Sequence, residues 1–429
     1  MDYSVRGTRR HLNASQATGT KLLFPEHVTQ SGLCATCTQC GQCEVGLKSK
    51  TGQTLFPQPF GAGQFGAEKR APGLEDIQII PELYGDEIFF NTVKTETVLG
   101  GFEVSVPIAI AAMGSTKVAH TKGEALAVGA ARAGIPMVIG ENVIATYGKE
   151  GLKERIQPYL DNYSGKGAVI VQANKHDMAM NAFELAKEYG AHGIEVKIGQ
   201  GAKQGLGGEI RFEGEEQAKK YEELGYHIEK NPDGSFQRHA SPGSLSDDQL
   251  RNVLLKYSEL DLPIWVKTGI GRGVIRLANT LETIKQEQGV NIACFTVDGL
   301  GGGTGMSPWL IMNETSIPSI AFLAALEKEL SFDVLIAGGI NNGLDAAKAM
   351  MLGASGVSMG RAFLIAAGSM KEEGVVNFVN ALKTELKMVA TILKQRELSG
   401  IRNKKSNLFA LSKEAAEMFG IPYKPSEVL

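Results

Sequence analysis

From Val104 onward the chain alternates short, nearly continuous apolar runs with longer stretches in which apolar residues recur every three or four positions. The short runs are Val104–Ala112, Pro136–Gly140, Ala168–Ala173, Gly193–Ile198, Leu262–Thr268, Ile292–Val297, Asp333–Ala337 and Gly356–Met359. Rich in Val, Ile and Ala, they predict buried strands. Between them, Lys122–Ala133, Met178–Tyr189, Asp247–Leu260, Val274–Gln286, Ala321–Glu329 and Leu344–Leu352 carry the period of amphipathic helices. Eight strands alternating with helices predict an α/β chain folded as a (β/α)8 TIM barrel. A doubly wound open sheet is the alternative, but it calls for a Gly fingerprint after the first strand, where this chain has none.

The rhythm fails in three places. Residues 1–70 are irregular and predict an N-terminal extension ahead of a barrel spanning 71–400. This extension contains Gly61-x-Gly63-x-x-Gly66, but Pro57 and Pro59 interrupt any preceding strand and no helical period follows, so the spacing is fortuitous. Between the fourth strand and the helix at 247, a polar insertion at 209–246 includes the charged run Glu213–Glu223 and predicts a lid over the barrel mouth. Beyond strand eight, Val375–Leu393 has the period of a long amphipathic helix, and 401–429 reads as a polar tail.

Several strand exits are glycine-rich. Ile292–Val297 runs into Asp298-Gly-Leu-Gly-Gly-Gly-Thr-Gly-Met-Ser-Pro308, Val334–Ala337 into Gly338-Gly339-Ile-Asn-Asn-Gly343, and Gly356–Met359 into Gly360-Arg361. Glycines here remove the Cβ atoms that would keep a ligand from the backbone, and strand exits leading to helix N-termini favour anions. Phosphate sites of such barrels lie after strands seven and eight, at Gly338-Gly339 and Gly360-Arg361 in this chain. The pattern predicts a phosphate-and-flavin cradle. At the end of strand four, Ile194-Glu-Val-Lys-Ile-Gly-Gln-Gly-Ala-Lys-Gln-Gly-Leu-Gly-Gly208 sets Glu195, Lys197, Gln200 and Lys203 near the mouth, a rim suited to anionic groups.

Composition narrows the function. A net charge of −3 with 21% charged residues argues against a nucleic-acid surface or a polybasic membrane anchor. The most apolar run, Val104–Met113, is too short to span a bilayer, and the N-terminal residues lack the apolar centre of a secretory signal, so a cytoplasmic location is expected. Four of the five cysteines, Cys34, Cys37, Cys40 and Cys43, are too tightly spaced for a disulfide framework and suit thiolate ligands in a reducing compartment. Their spacing is close to that of ferredoxins, without the longer last gap or the following Pro, so a [4Fe–4S] cluster is expected, with zinc as the alternative. Cys294 lies mid-strand as a small core residue.

The strand-four segment resembles that of the FMN-binding synthase domain of glutamate synthases, apart from a Pro where Gln204 stands. Ile108-Ala-Ile-Ala-Ala-Met-Gly114 is similar to the family's first-strand motif, Gly140-Glu141 to the second and Val171-Gln172 to the third. Val266-Lys267-Thr268 is similar to the fifth, Asp298–Pro308 to the sixth, Ala337–Gly343 to the seventh and Gly360-Arg-Ala-Phe-Leu364 to the eighth. The resemblance covers roughly residues 90–370. It implies an FMN lined by Met113, Gly114, Glu141, Gln172, Lys197 and Lys267, with Gly302, Gly303, Thr304, Gly338, Gly339, Gly360 and Arg361 about its phosphate. It also implies catalytic roles for Lys203, Glu141 and Lys267. Lys203 would meet an imino-acid substrate, and Lys267 would offset negative charge on the reduced flavin.

The reaction so implied is reduction of a 2-imino acid, formed from 2-oxoglutarate or a similar acid plus ammonia or an amine, or the reverse on a small amino acid. No nicotinamide site is visible, so electrons are expected from ferredoxin or a partner flavoprotein, by way of the cluster. The chain differs from the family in lacking an N-terminal amidotransferase domain, a Cys at position 2 and any Cys beyond 294. A separate amidotransferase subunit could therefore supply ammonia, and an oligomer is expected. Ala240-Ser-Pro-Gly-Ser-Leu-Ser-Asp247 replaces the family's Pro/His-rich segment before strand five, which leaves the substrate open. The rivals are three. A 2-hydroxy-acid dehydrogenase would need a His base where Asp298-Gly-Leu-Gly stands. A flavin isomerase similar to the type 2 isopentenyl diphosphate enzyme would leave the cysteines without purpose. A non-catalytic electron-transfer subunit would have no use for Lys203 and Glu141.

Overall fold

The structure, a computed structural model, describes residues 71–201, 209–212, 214–239, 243–300, 302 and 315–429, with backbone alone at 117, 209–212 and 239. Eight parallel strands close a barrel: β1 (Ile108–Met113), β2 (Met137–Ile139), β3 (Val169–Ala173), β4 (Gly193–Lys197), β5 (Ile264–Gly269), β6 (Ile292–Asp298), β7 (Asp333–Ala337) and β8 (Gly356–Met359). Pairing runs in chain order around the ring and closes where Val357 of β8 meets Ile108 of β1. The α/β barrel expected from the apolar period is therefore the fold, and seven of the eight strands begin within two residues of their expected starts.

Strand periodicity explains the barrel's two kinds of interior. Successive side chains point to opposite faces. One set, including Ile110, Ile139, Val171, Val196, Val266, Val297, Ile336 and Met359, packs into the large cluster shared with the helices. The other set points inward. At the N-terminal end it is apolar: Ala109, Val138, Ile170, Trp265, Cys294 and Leu335 form a separate cluster. Cys294 is a free, buried thiol there, the core residue its position predicted. Two residues further along the strands the inward positions become Gln172, Lys267 and Thr296. The barrel is thus dry at one end and polar at the other.

The first strand starts later than expected. Val104 belongs to a hairpin, Thr97–Leu99 with Phe102–Val104, whose turn Gly100-Gly101 has positive φ at both residues (58° and 90°). Pro107 then delays strand pairing to Ile108. The hairpin plugs the dry end: Leu99 and Val104 join the inner cluster, Trp265 Nε1 donates to Gly100 O at 2.9 Å, and Gly100 N donates to Asp333 Oδ2 at 2.7 Å.

Four further differences from the sequence expectation are found. Val143–Asp161, for which the sequence predicts no helix, forms two helical segments joined at Gly148 (φ 74°), with Pro158 inside the second. The helix expected at Ala321–Glu329 stops at Ala325, where Leu326 turns to extended backbone (φ −80°, ψ 112°). The insertion is not wholly polar: it forms an antiparallel sheet, with Phe236–His239 between Glu209–Phe212 and His227–Lys230, and the helix Glu215–Glu223 buries Ala218 and Tyr221. Nor is 401–429 merely a polar tail. Leu408–Ala410 pairs antiparallel with Ile77–Ile79, and Phe419, from the helix Lys413–Phe419, is fully buried. The helix expected at Val375–Leu393 is the second half of Arg361–Ile392, bent at Met370 and Lys371. Among the described residues, no helix is long and apolar enough to cross a membrane.

Candidate active site

The polar end of the barrel is organised by a buried carboxylate. Glu195, on β4, accepts from Gln172 Nε2 of β3 at 2.5 Å and from Thr296 Oγ1 of β6 at 3.3 Å. Burial pushes its carboxyl above the usual range, against the pull of Lys267 and the two hydrogen bonds. Lys267, on β5, reaches Asp298 Oδ2 of β6 at 3.5 Å. The other oxygen of Asp298, Oδ1, is buried without a hydrogen-bond partner among the described residues. Lys267 is thus a buried cation paired with Asp298 and attracting Glu195, one positive charge set against two carboxyl groups.

Above it, Lys197 at the end of β4 binds Glu141 Oε1 and, at 2.5 Å, Gln200 Oε1. Glu141 follows β2, and its Oε2 accepts from Asn174 Nδ2 at 2.8 Å, just beyond β3. Asn174 also caps the short helix Lys175–Ala179, while Asp177 Oδ1 and Oδ2 accept from Asn142 N at 3.1 and 3.0 Å. Asp177 therefore holds the backbone beside Glu141. Burial outweighs these hydrogen bonds and pushes its carboxyl up to about 7. A carboxyl that keeps its proton better folded than unfolded stabilises the fold below its unfolded pKa, and this stabilisation is lost as pH rises through the folded value. Unfolding by urea should therefore require more denaturant at pH 5 than at pH 8, by about 1 kcal/mol or more. Asp177→Asn should shrink that difference; an unchanged difference would exclude Asp177 as its source.

Met113 ends β1 and Gly114 follows it. Their carbonyls accept from the buried guanidinium of Arg155, Nη2 to Met113 O at 2.7 Å and Nη1 to Gly114 O at 3.3 Å. Burial lowers the Arg155 pKa to about 10. Sequence reasoning missed Arg155, Asn174 and Asp177. The pair Asn174-x-x-Asp177 after a strand is a capping-box signal that could have marked the latter two.

The candidate glycines divide into two kinds. A Cβ on Gly114 would lie 2.2 Å from Glu141 O, one on Gly302 1.5 Å from Asp298 Oδ1, and one on Gly338 2.9 Å from Gly299 O. Protein atoms account for these. A Cβ on Gly339 would meet nothing nearer than Leu300 O at 3.8 Å, and one on Gly360 nothing nearer than Ala111 Cβ at 3.7 Å. At these two positions a Cβ would make only ordinary van der Waals contact with the protein. Gly338 and Gly339 have φ of 89° and 78°, while Gly360 and Arg361 begin the helix Arg361–Ile392. Glu141, Gln172, Lys197 and Lys267 are thus brought together at one mouth, with Met113 and Gly114 beside Glu141. Lys203, Gly303, Thr304 and the cysteines 34, 37, 40 and 43 lie outside the described residues.

Residues 81–374 match the sequence model for the conserved region in glutamate synthase. The archaeal glutamate synthase (NADPH) of Archaeoglobus fulgidus is 29% identical over 315 residues, covering 70% of this chain and 52% of that protein. A glutamate synthase large subunit-like protein of Rhizobium meliloti is 26% identical over 324 residues, covering 71% and 66%. The chain thus spans about half to two thirds of the length of these two relatives. Among solved structures, the flavin-binding domain of baker's yeast flavocytochrome b2 superposes with a TM-score of 0.57 at 19% identity, covering 82% of this chain and 80% of that one. At that identity the likeness concerns the fold.

Proposed function

This chain belongs to the glutamate synthase family, and on that premise we propose that it is an FMN-dependent oxidoreductase acting on 2-imino or amino acids. The observation that carries the proposal is the pairing of a buried polar layer, Gln172–Glu195–Lys267–Asp298, with uncrowded backbone at Gly339 and Gly360, where a Cβ would make only ordinary contacts, on the same barrel end. The residues present fit the cofactor. Gly339, Gly360 and Arg361 would hold the phosphate at two strand exits, with Gly338, Gly302, Gly303 and Thr304 shaping the surrounding loops. Met113, Gly114, Gln172 and Lys267 would line the ring.

When bound, FMN supplies exchange of a hydride. Lys267 contributes the positive charge that a reduced flavin needs, and its tie to Asp298 keeps that charge in place. Glu141, positioned by Lys197 and the Asn174 amide, would take a proton from the substrate nitrogen in the amino-acid direction. Lys203 orients the substrate acid. Cys34, Cys37, Cys40 and Cys43 suit an iron–sulfur centre that would pass electrons from a ferredoxin or flavoprotein, with structural zinc as the alternative. Ammonia or an amine would reach the site from outside this chain, for instance from a separate amidotransferase subunit.

One anaerobic preparation tests this. Flavin, iron and acid-labile sulfide are assayed, the flavin is reduced with dithionite, and its reoxidation by 2-oxoglutarate plus ammonia, and by other 2-oxo acids and amines, is followed by absorbance. FMN should be present, and at least one pair should reoxidise it. Lys203→Ala should slow that step at least about tenfold, the loss of one charge-assisted contact. Absence of FMN after reconstitution would remove the basis of the proposal. Reduction of the oxidised flavin by a 2-hydroxy acid instead would favour a dehydrogenase.

A further inference from the structure

The insertion between β4 and β5 touches the candidate site through one hydroxyl. Tyr226, between the helix Glu215–Glu223 and the strand His227–Lys230, is 3% exposed. Its ring stacks on His176 with centroids 4.3 Å apart, meets the Tyr221 ring edge-on at 5.8 Å, and faces the Arg238 guanidinium at 4.4 Å. Arg238, on the central strand of the insertion sheet, lies 4.5 Å from the Tyr221 ring as well. With Ala145 of the helix Val143–Asp161, the two tyrosines form a small apolar cluster apart from the main core. Ring packing therefore seats the insertion, and none of it needs the Tyr226 hydroxyl. Burial pushes that phenol above its usual range, so the hydroxyl keeps its proton and serves as a donor.

The hydroxyl donates to Asn142 Oδ1 at 2.9 Å. Asn142 directly follows Glu141 and has left-handed backbone (φ 63°, ψ 14°), a conformation that asparagine tolerates better than most residues. Its Oδ1 also accepts from Asn174 Nδ2 at 3.4 Å, and the same Nδ2 donates to Glu141 Oε2 at 2.8 Å. The direction of the Asn174 amide is fixed by its cap: Oδ1 accepts from His176 N and Asp177 N at 2.8 and 3.0 Å, which leaves Nδ2 to face Glu141. A continuous path thus runs from Tyr226 through Asn142 and Asn174 to one oxygen of Glu141. Lys197 holds the other oxygen.

We infer that Tyr226 is a positioning residue: through Asn142 and Asn174 it sets the Glu141 carboxylate, so that the seated insertion completes the proton-handling end of the site. This rests on the proposed role of Glu141 toward the substrate nitrogen. The Tyr226 hydroxyl holds the Asn142 side chain where Asn174 Nδ2 can serve Glu141 at the shorter distance. Without it, Asn142 Oδ1 keeps only the long contact to Asn174 and draws that amide away from Glu141. The insertion thereby gains a task at the reacting centre beyond covering the barrel mouth.

The test uses the full chain reconstituted with FMN. The flavin is reduced with dithionite, and its reoxidation is followed by stopped-flow absorbance with the 2-oxo acid and amine pair to which wild type responds, 2-oxoglutarate plus ammonium first. Tyr226→Phe keeps the ring and deletes the hydroxyl. Asn142→Gly deletes the amide and keeps the left-handed backbone. Each should lower the saturating rate at least about threefold, the loss of one hydrogen bond, while the half-saturating concentration and FMN affinity stay at wild-type values. The double variant should be no slower than Asn142→Gly alone. Either single variant reacting as fast as wild type would overturn the inference. So would a Tyr226→Phe defect repeated in full in the Asn142→Gly background, or one confined to half-saturating concentration or FMN affinity. A wild type that takes up FMN but reacts with no pair would remove the reading of the site and the inference with it, whereas the variant results remove the inference alone.

Discussion

Lys267→Met should destabilise the protein by about 3–5 kcal/mol at pH 7.5, measured by urea unfolding, the cost typical of removing one partner from a buried ion pair. Lys267 is 7% exposed and stands between two carboxylates that have almost no access to solvent, Glu195 and Asp298. Methionine fills the same volume but leaves both negative charges uncompensated. The loss should be pH-dependent in a definite direction. Burial already raises the Glu195 carboxyl, and removal of Lys267 removes an interaction that lowers it. Protonated Glu195 is favoured by the folded state, so the variant should recover stability as pH falls and lose it as pH rises through the raised folded value. Glu195→Gln in the Lys267→Met background should recover part of the deficit at pH 7.5. A deficit below about 1 kcal/mol, within the ordinary range for an exposed pair, would mean that Lys267 does not stabilise this layer in the way described.

The second large effect separates two glycines that the sequence treats alike. Gly114→Ala places a methyl 2.2 Å from the carbonyl oxygen of Glu141, which belongs to backbone and cannot rotate away. The β1 and β2 exits must part, at a cost of about 1–3 kcal/mol or more, and a lower melting temperature should follow without any cofactor present. Gly339→Ala meets no atom nearer than 3.8 Å, although its φ of 78° adds about 1–2 kcal/mol of left-handed strain. Its stability should therefore fall less, whereas its FMN affinity should fall at least about tenfold, because the methyl stands where the proposed phosphate would approach the β7 exit. The readouts are thermal unfolding of the apoprotein and quenching of FMN fluorescence on uptake. If Gly339→Ala binds FMN as wild type does, the phosphate does not sit at β7.

The barrel was legible because its strands are buried on both faces and break cleanly at Gly, Pro and polar residues. The polar layer was legible too. Gln172, Lys197 and Lys267 each end an apolar run, where a polar side chain has few reasons to be. Elements that depend on distant partners were harder to read. Leu408–Ala410 is too short to declare itself without Ile77–Ile79, and Val143–Asp161 carries Gly148 and Pro158 within a helix stabilised by packing. Nothing in the sequence marks Arg155 or Arg238 as buried. Only tertiary structure buries one against the β1 carbonyls and the other between Tyr221 and Tyr226. The glycine pattern was seen, but its causes were mixed: Gly114, Gly302 and Gly338 answer to neighbouring protein atoms, whereas a Cβ on Gly339 or Gly360 would make only ordinary contacts.

The antiparallel pairing of Ile77 with Ala410 also has a consequence for synthesis on the ribosome. At translation speeds of roughly 5–20 residues per second, the early strand waits on the order of twenty to sixty seconds for its partner. Until then its backbone N–H and C=O groups form an open edge, the kind of surface on which nascent chains associate. Closure of the barrel likewise joins Ile108 to Val357 late in the chain. The nascent polypeptide should therefore be a strong client for chaperones, and pulse-labelled chains halted before residue 408 should remain protease-sensitive.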